Sequence, residues 1–279
     1  MTSPPQARKR SGFDSPRTYA WPPLPPHEFE VISVTSALDA GVSKPFLIGW
    51  AAKVTAQKAI DDHDIIGAML AKGDERGAIE YVKRARFGDS GTKADRGTIV
   101  HSALESYLAG RTVEQEAIEA QLKEARVPLN MWKSTSSMVA ALMEFLADEE
   151  PEVYWSESTV YSRQLGYAGT ADLIGKMRVG GTVKPVVIDV KTSKAIYDET
   201  AAQLVAYARA DFVGLDDGTE TPLTPDGEPI EHGVVVRPKA DGTYEKVVFT
   251  LTDGVYAFFL GALRVAQNKA ALAASRRPA

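Results

Sequence analysis

The chain contains no cysteine, which excludes several structural and chemical devices. It can form no disulfide bond, no cysteine-ligated zinc site and no cysteine-ligated iron–sulfur cluster. It also lacks an apolar run long enough to span a bilayer. No apolar segment follows the basic residues Arg8, Lys9 and Arg10, so no secretory signal is visible. These absences favour a cytoplasmic protein with no membrane partner.

The composition is that of an ordinary globular protein, with 44% hydrophobic and 25% charged residues. A length of 279 residues is near the upper limit for one hydrophobic core, which favours a single elaborated domain. The formal net charge of -5 argues against a large basic surface for nucleic acid but allows a local one. Such a local cluster contains Lys83, Arg84, Arg86, Lys93 and Arg96. It is either a solvated face or a track for DNA phosphates.

The hydrophobic pattern divides the chain into three parts. Residues 1–30 are rich in proline and predict a disordered arm. Residues 31–150 carry apolar residues at helical spacing, with a break at Lys44-Pro45. Residues 151–279 contain three successive strand patterns, a helix, a hairpin around Asp241-Gly242 and a last helix. We therefore predict an α/β domain over 31–279, with a mixed β-sheet core flanked by helices and a helical N-terminal part.

One strand, VVIDVK (186–191), carries charge where a buried strand should be apolar. Side chains alternate along a strand, so Asp189 and Lys191 share one face with Val187. Charged groups are rarely buried unless they are paired or bound to a metal. The bland interpretation is a partly buried salt bridge between Asp189 and Lys191.

A hairpin signal upstream supports a sharper interpretation. If Gly180-Gly181 is a two-residue loop, Asp172 lies directly opposite Asp189, with Cβ atoms roughly 4.5–5.5 Å apart. Two carboxylates there repel each other unless a divalent cation such as Mg²⁺ or Mn²⁺ lies between them. Lys191 beside such a site can hold an attacking water or stabilise charge on a phosphate. Pro185 within the second strand leaves open a bulged or longer-looped hairpin.

These motifs resemble the core of the PD-(D/E)XK nuclease superfamily. The matching segments are GYAGTADLI (166–174), VVIDVKTSK (186–194), QLVAYARA (203–210), RGTIVHSALESYL (96–108) and KPFLIGWAAKVTAQKA (44–59). They are most similar to RecB-like and CRISPR-associated exonucleases of the kind that bacteriophages encode. Many of those relatives carry four cysteines for an iron–sulfur cluster, which this chain lacks. The resemblance implies a restriction-endonuclease-like fold.

The resemblance also implies roles for individual residues. Asp172 and Asp189 would bind the metal together with His101 and the backbone carbonyl of Val190, and Lys191 would be the catalytic lysine. Gln203 and Tyr207, four residues apart on one helical face, would orient the lysine or the DNA backbone.

Each of the less certain residues has a plain alternative. His101 can be an ordinary polar residue of an amphipathic helix. Gln203 and Tyr207 can simply pack their helix on the sheet. Glu157 lies in a predicted strand, where it either joins the acidic cluster and binds metal or faces solvent.

We therefore expect a metal-dependent DNA exonuclease that hydrolyses phosphodiester bonds. The resemblance implies single- or double-stranded DNA with an end as substrate, and a role in phage recombination, replication or degradation with a partner from those pathways. If the protein is phage-encoded, its location is the host cytoplasm. The alternatives are a catalytically silent module that binds DNA or a partner on a nuclease fold, and a structural protein that does not bind nucleic acid.

Overall fold

A mixed sheet forms the centre of the molecule, in a computed structural model that describes residues 7–8, 17–21, 29–215 and 217–275. In the described part of the chain the sheet has ten strands. They are β1 (Ala7–Arg8), β2 (Thr18–Trp21), β3 (Phe29–Ser33), β4 (Glu152–Ser162), β5 (Tyr167–Val179), β6 (Thr182–Val190), β7 (Phe212–Gly214), β8 (Glu220–Thr221), β9 (His232–Pro238) and β10 (Tyr244–Thr250). The strand β6 pairs antiparallel with β5 and parallel with β9, which makes the sheet mixed.

Helices cover both faces of this sheet. They are α1 (Val34–Gly41), α2 (Pro45–Asp61), α3 (His63–Ala71), α4 (Glu75–Lys83), α5 (Ala85–Leu108), α6 (Gln115–Glu124), α7 (Trp132–Glu149), α8 (Thr200–Ala208) and α9 (Asp253–Ala274). The first seven precede β4, as the helical spacing of residues 31–150 predicts, and α2 begins at Pro45 where a break is predicted. The predicted fold class, a mixed sheet flanked by helices, is confirmed.

The hairpin of β5 and β6 has the register that the glycine pair predicts. Gly180 and Gly181 both have positive φ, at 58° and 85°, as a two-residue type I′ turn requires. Val179 pairs with Thr182, and the ladder continues without a shift to Leu173 and Ile188. Pro185 stays in register, so the bulge that it left open is absent. The same register, continued by one residue, brings Asp172 opposite Asp189.

The two faces of β6 enter two different cores. The Val186, Ile188 and Val190 side chains pack with α5, α6 and α7. Val187 points to the other face and packs with α1, α8 and α9. Asp189 follows the alternation of Val187, so its carboxylate lies on the α8 side at the end of a buried strand.

Part of the predicted N-terminal arm is built into the sheet. Strand β2 pairs antiparallel with β3 from Thr18 to Trp21, and β3 in turn pairs with β5. Tyr19 and Ala20 are 2% exposed, because they pack beside Tyr161 at this end of the sheet. The structure therefore differs from the prediction of a disordered arm at residues 18–21, where two apolar side chains between the proline-rich segments find a buried surface. Residues 1–6, 9–16 and 22–28 of the arm lie outside the described residues.

None of the helices among the described residues is long and apolar enough to cross a membrane.

The contact between α1 and α9 gives a test of the packing. A Cβ added at Gly41 of α1 would lie 2.3 Å from the backbone of Ala262 in α9. A Cβ added at Gly261, the neighbour of Ala262 in α9, would meet nothing within 4 Å. We expect Gly41→Ala to lower the free energy of unfolding by about 1–3 kcal/mol because of overpacking. Gly261→Ala should raise it by roughly 0.5–1 kcal/mol through helix propensity. Urea unfolding measures both, and equal effects of the two substitutions would contradict the α1–α9 packing.

Candidate metal centre and active site

Strands β3 and β6 pair with the same edge of β5 at different positions, and the candidate site lies where they diverge. The parallel strand β3 pairs with the start of β5, as far as Ser33 and Ala168. The antiparallel strand β6 pairs with the rest of β5, beginning at Leu173 and Ile188. Asp172 therefore lies at a fork in the sheet. The ladder that would satisfy a buried backbone is interrupted here, so polar side chains can take its place.

Three potential metal ligands converge at this fork. They are His101 from α5, Glu157 from β4 and Asp172 from β5, with one ligand atom of each within 4.8 Å of the other two. The Nδ1 atom of His101 lies 3.3 Å from Glu157 Oε1 and 3.7 Å from Asp172 Oδ1. All three side chains are partly buried, so solvent reaches them from one side.

An unusual backbone conformation brings Glu157 into this cluster. Its φ angle of 45° is left-handed, although it lies within β4 and carries a side chain. A left-handed residue of this kind costs about 1–2 kcal/mol, and such strain is concentrated at functional sites. The residues on either side pair normally with β5, Ser156 with Leu173 and Ser158 with Ala171. The alternation of residues in the sequence did not decide which way the Glu157 side chain points, because a positive φ angle cannot be recognised from a sequence pattern.

The end of β6 is bound to the same cluster through its backbone. The Val190 amide donates a hydrogen bond of 2.7 Å to Asp172 Oδ2. The Val190 carbonyl accepts one of 3.1 Å from His101 Nε2. Because both ring nitrogens of His101 face acceptors, the imidazole is doubly protonated in this arrangement. The carbonyl that the resemblance implies as a metal ligand is therefore beside His101 and Asp172.

A second network extends from Asp189 to α8. Lys191 Nζ donates to Asp189 Oδ1 at 2.7 Å and to Gln203 Oε1 at 3.3 Å. Gln203 Nε2 donates to the same Asp189 oxygen at 3.1 Å and to the Tyr207 hydroxyl at 3.0 Å. Gln203 and Tyr207 lie one helical turn apart, as their spacing predicts. The structure thus brings together the four residues to which the motifs pointed here.

Asp189 is a buried carboxylate at the centre of this second network. Its side chain is 2% exposed, and among the described residues its Oδ2 atom has no hydrogen-bond partner. Leaving a buried acceptor unpaired costs about 1–3 kcal/mol, and more when the group is charged. A divalent cation would compensate that oxygen. The potential metal ligands nearby are carboxylates and one imidazole, which are groups that bind Mn²⁺ or Mg²⁺, so the residues present fit such an ion.

The charges of the cluster shift the pKa values of its members. Burial lowers the pKa of His101, but the carboxylates of Asp172 and Glu157 outweigh burial and raise it from 6.5 to about 9. Burial also raises the pKa of Asp172 above its usual value, helped by the nearby Asp189 and Glu157 carboxylates and opposed by His101. Both shifts express the same condition, an excess of buried negative charge at the fork.

The ammonium of Lys191 stays charged in this environment. Burial lowers its pKa, but the carboxylates of Asp189 and Asp172 have the larger combined effect, and the pKa is raised overall. Burial raises the pKa of Tyr207 well above its usual value, so its phenol is neutral. Lys191 can therefore donate hydrogen bonds or stabilise negative charge, but it does not act as a base at neutral pH.

Close packing explains one glycine of the GYAGTADLI segment. A Cβ added at Gly169 would lie 2.5 Å from the Tyr207 ring. The absence of a side chain on β5 therefore lets Tyr207 lie against the sheet, where its hydroxyl reaches Gln203. At the next residue of β5, Thr170 Oγ1 lies 3.0 Å from the Tyr19 hydroxyl of β2. Sequence reasoning missed Tyr19, because the proline-rich residues around it predicted an arm outside the core.

The basic residues proposed for DNA binding have different surroundings. The Arg96 guanidinium donates to Thr135 and Ser134 on α7, at 2.8 and 3.0 Å, so it joins α5 to α7. Arg84 and Lys93 instead line a cavity beside α2. The side chain of Arg86 lies outside the described residues.

The pKa of His101 tests the cluster directly. Opposite charges within 4–6 Å shift a pKa by about 1–3. We therefore expect Asp172→Asn to lower the pKa of His101 by roughly that amount from its value of about 9 in the metal-free protein. The titration of the His101 imidazole by NMR, assigned with His101→Asn, gives this value. Asp226→Asn, which removes a carboxylate that pairs with Lys176 outside the site, is the control and should leave the pKa unchanged.

Metal binding tests the proposed ligands. Because loss of outer contacts alone typically weakens a metal site by 10–100-fold, Glu157→Gln and Asp189→Asn should each weaken Mn²⁺ binding about tenfold or more. Mn²⁺ also competes with the proton on His101, so binding should tighten as the pH rises from 7 to 9, and the number of protons released on binding should be larger at pH 7 than at pH 9. Calorimetry in two buffers of different ionisation enthalpy measures both effects. Mn²⁺ affinity that is independent of pH and of both substitutions would rule out this ligand set.

The family comparison falls on the segment that carries this site. Residues 78–213 match the family model of the PD-(D/E)XK nuclease superfamily. No curated protein matches the chain closely enough to count as a relative. The matched residues include every member of the two networks: His101, Glu157, Asp172, Asp189, Val190, Lys191, Gln203 and Tyr207. The match covers a little under half of the chain, and the mixed sheet flanked by helices is consistent with the restriction-endonuclease-like fold of that superfamily.

Proposed function

We propose that this protein is a metal-dependent deoxyribonuclease that hydrolyses phosphodiester bonds and acts from DNA ends as an exonuclease. One observation carries the proposal. Asp189 is buried, and one of its oxygens accepts a hydrogen bond from Lys191. Within the described part of the chain its other oxygen has no partner, and the cluster of His101, Glu157 and Asp172 lies next to it. A structural salt bridge alone would not require the three further ligands.

The residues that would hold the cation are the two aspartates, Glu157 and His101, with the Val190 carbonyl beside them. We propose Mg²⁺ or Mn²⁺, because carboxylates and an imidazole suit these ions. When bound, a divalent cation supplies Lewis-acid stabilisation of negative charge on the phosphate.

Lys191 has the role of holding a reacting oxygen and stabilising charge. Its ammonium is protonated, and its two contacts, to Asp189 and Gln203, use two of its three hydrogens. The third hydrogen remains for a water or a phosphate oxygen. Gln203, held by Tyr207, fixes the direction of the ammonium, because it bonds both Lys191 and the carboxylate that Lys191 contacts.

A cleft next to Lys191 gives a phosphate access to this hydrogen. The cavity has a volume of about 290 Å³ and is lined by Lys191, Gln203, Tyr197 and Lys44, among others. A scissile phosphate in this cleft would meet the ammonium from the solvent side, which is the position at which a preorganised donor stabilises developing charge.

DNA with an end is the substrate that we propose, bound mainly through its phosphates. Arg84 and Lys93, on the cavity beside α2, remain our proposed backbone contacts. Binding of this kind weakens steeply with salt. The similarity to RecB-like and phage enzymes leads us to propose a cytoplasmic role in phage DNA recombination, replication or degradation, with a partner from one of those pathways.

The direct test is a nuclease assay with Mg²⁺ or Mn²⁺ on end-labelled linear DNA and on closed circular DNA. Removal of a preorganised electrostatic donor typically costs about 10²–10³ in rate, and we expect Lys191→Ala to lose that much. Asp189→Ala, which removes a ligand and the partner of the lysine, should lose at least as much. Lys123→Ala, an exposed lysine on α6, is the charge-matched control.

Four outcomes separate the possibilities. Degradation of linear but not circular DNA supports an exonuclease, and cleavage of both supports an endonuclease. Equal rates for the wild type and both site variants would refute the catalytic assignment. Retention of DNA without turnover in either metal would indicate a binding module on a nuclease fold.

A further inference from the structure

The basic cavity that holds Arg84 and Lys93 contains further side chains to which the proposed phosphate contacts assign no role. It has a volume of about 750 Å³ and lies between α2, the junction of α4 and α5, and the loop that follows β6. We propose that this cavity, here called the α2 groove, binds a single-stranded segment of the DNA whose phosphodiester is cut at Lys191. The inference rests on the proposed nuclease function and adds the strand character of the substrate and the surface that receives it.

The charge of the α2 groove is opposite to that of the whole chain. Among the described residues, Lys53, Arg84 and Lys194 line it together with the acid Asp61, whose carboxylate accepts a hydrogen bond of 2.8 Å from Gln57. A second carboxylate, that of Asp62, pairs with Lys58 and accepts a hydrogen bond from the Tyr81 hydroxyl. The chain as a whole carries a net charge of -5. Basic side chains are therefore concentrated at this cavity although the chain as a whole is acidic, which favours a polyanion as its ligand.

Two aromatic rings distinguish the α2 groove from a plain phosphate site. Trp50 and Tyr81 both line it. Lys93 Nζ lies 5.5 Å from the centre of the Trp50 ring, and Lys58 Nζ lies 4.9 Å from that of Tyr81. Aromatic rings interleaved with cations are typical of surfaces that bind single strands, because unpaired bases stack on the rings while phosphates meet the cations. In a duplex the base faces are already stacked, so the rings would have no such partner.

One face of α2 contributes to the lining of both the α2 groove and the catalytic cleft. Leu47 lines the cleft, and Trp50, Val54 and Gln57 line the groove, at steps of three and four residues that keep them on one side of the helix. From Leu47 to Gln57 the helix rises about 15 Å. The loop after β6 makes the same connection, because Lys191 lines the cleft and Lys194 lines the groove. A strand held on α2 would therefore reach Lys191 without leaving the surface.

Binding measured without metal tests the α2 groove apart from catalysis. The probe is a fluorescein-labelled single-stranded dT oligomer in EDTA, compared with a duplex of the same length by fluorescence anisotropy. Loss of one base-stacking contact corresponds to roughly a 5- to 150-fold weaker affinity. We expect Trp50→Ala to weaken single-strand binding by that factor, Trp50→Phe to recover most of it, and duplex binding to change little.

A charge substitution tests the phosphate contacts. In a plot of log affinity against log salt concentration, each phosphate contact with a single strand adds about 0.7 to the steepness of the decline. Lys53→Ala should therefore make the decline shallower by about that amount. The controls are Tyr107→Ala and Lys72→Ala, both exposed and outside the lining of the groove. Circular dichroism and thermal unfolding establish that each variant is folded.

The outcomes for the groove and for the nuclease are distinguishable. If Trp50→Ala and Lys53→Ala bind the oligomer as the controls do, or lose duplex and single-strand affinity alike, the groove assignment is overturned even when the wild type cuts DNA. If both variants lose single-strand affinity while the wild type cuts no DNA in Mg²⁺ or Mn²⁺, the groove assignment holds and the nuclease proposal fails.

Discussion

The site depends on the repulsion among three carboxylates that the fold brings together at one fork of the sheet. Glu157, Asp172 and Asp189 come from three adjacent strands. Asp189 is buried and the other two are partly buried, so water screens their charges less than it would at the surface. In the structure two cations balance them, His101 on one side and Lys191 on the other. The carboxylates raise the pKa of both His101 and Lys191, which keeps these two groups positively charged. These carboxylates and His101 would hold a divalent ion, whose charge would balance theirs in place of the proton on His101.

The surrounding fold is arranged to keep these groups together. The fork exists because β5 is long enough to pair with β3 at its start and with β6 afterwards. The backbone of Val190 at the end of β6 forms hydrogen bonds with Asp172 and His101, so the strand and these two side chains hold each other in place. On the far side α8 packs close to β5 over Gly169, which brings the Gln203 and Tyr207 pair to the lysine. The α2 groove extends the same site along a helix outside the sheet.

The parts predicted well from the sequence are those governed by local rules. The Gly180-Gly181 pair determines the hairpin register, and alternation along β6 determines which face Asp189 occupies. The remaining parts depend on contacts between distant segments. The left-handed Glu157 and the burial of Tyr19 in strand β2 follow from packing that no local pattern carries. Trp50 and Lys194 lie 144 residues apart in sequence, and only the tertiary fold shows that they line one groove.

We propose that the acidic side chains at the fork share one divalent ion. Anomalous diffraction at the manganese edge, from crystals of the wild-type protein grown with Mn²⁺, locates that ion. We expect a single strong peak at the fork, within coordination distance of Asp172 and the unpaired Oδ2 atom of Asp189, with His101 and Glu157 around it. Crystals that contain no manganese at this position, at a concentration that saturates binding in solution, would contradict the claim.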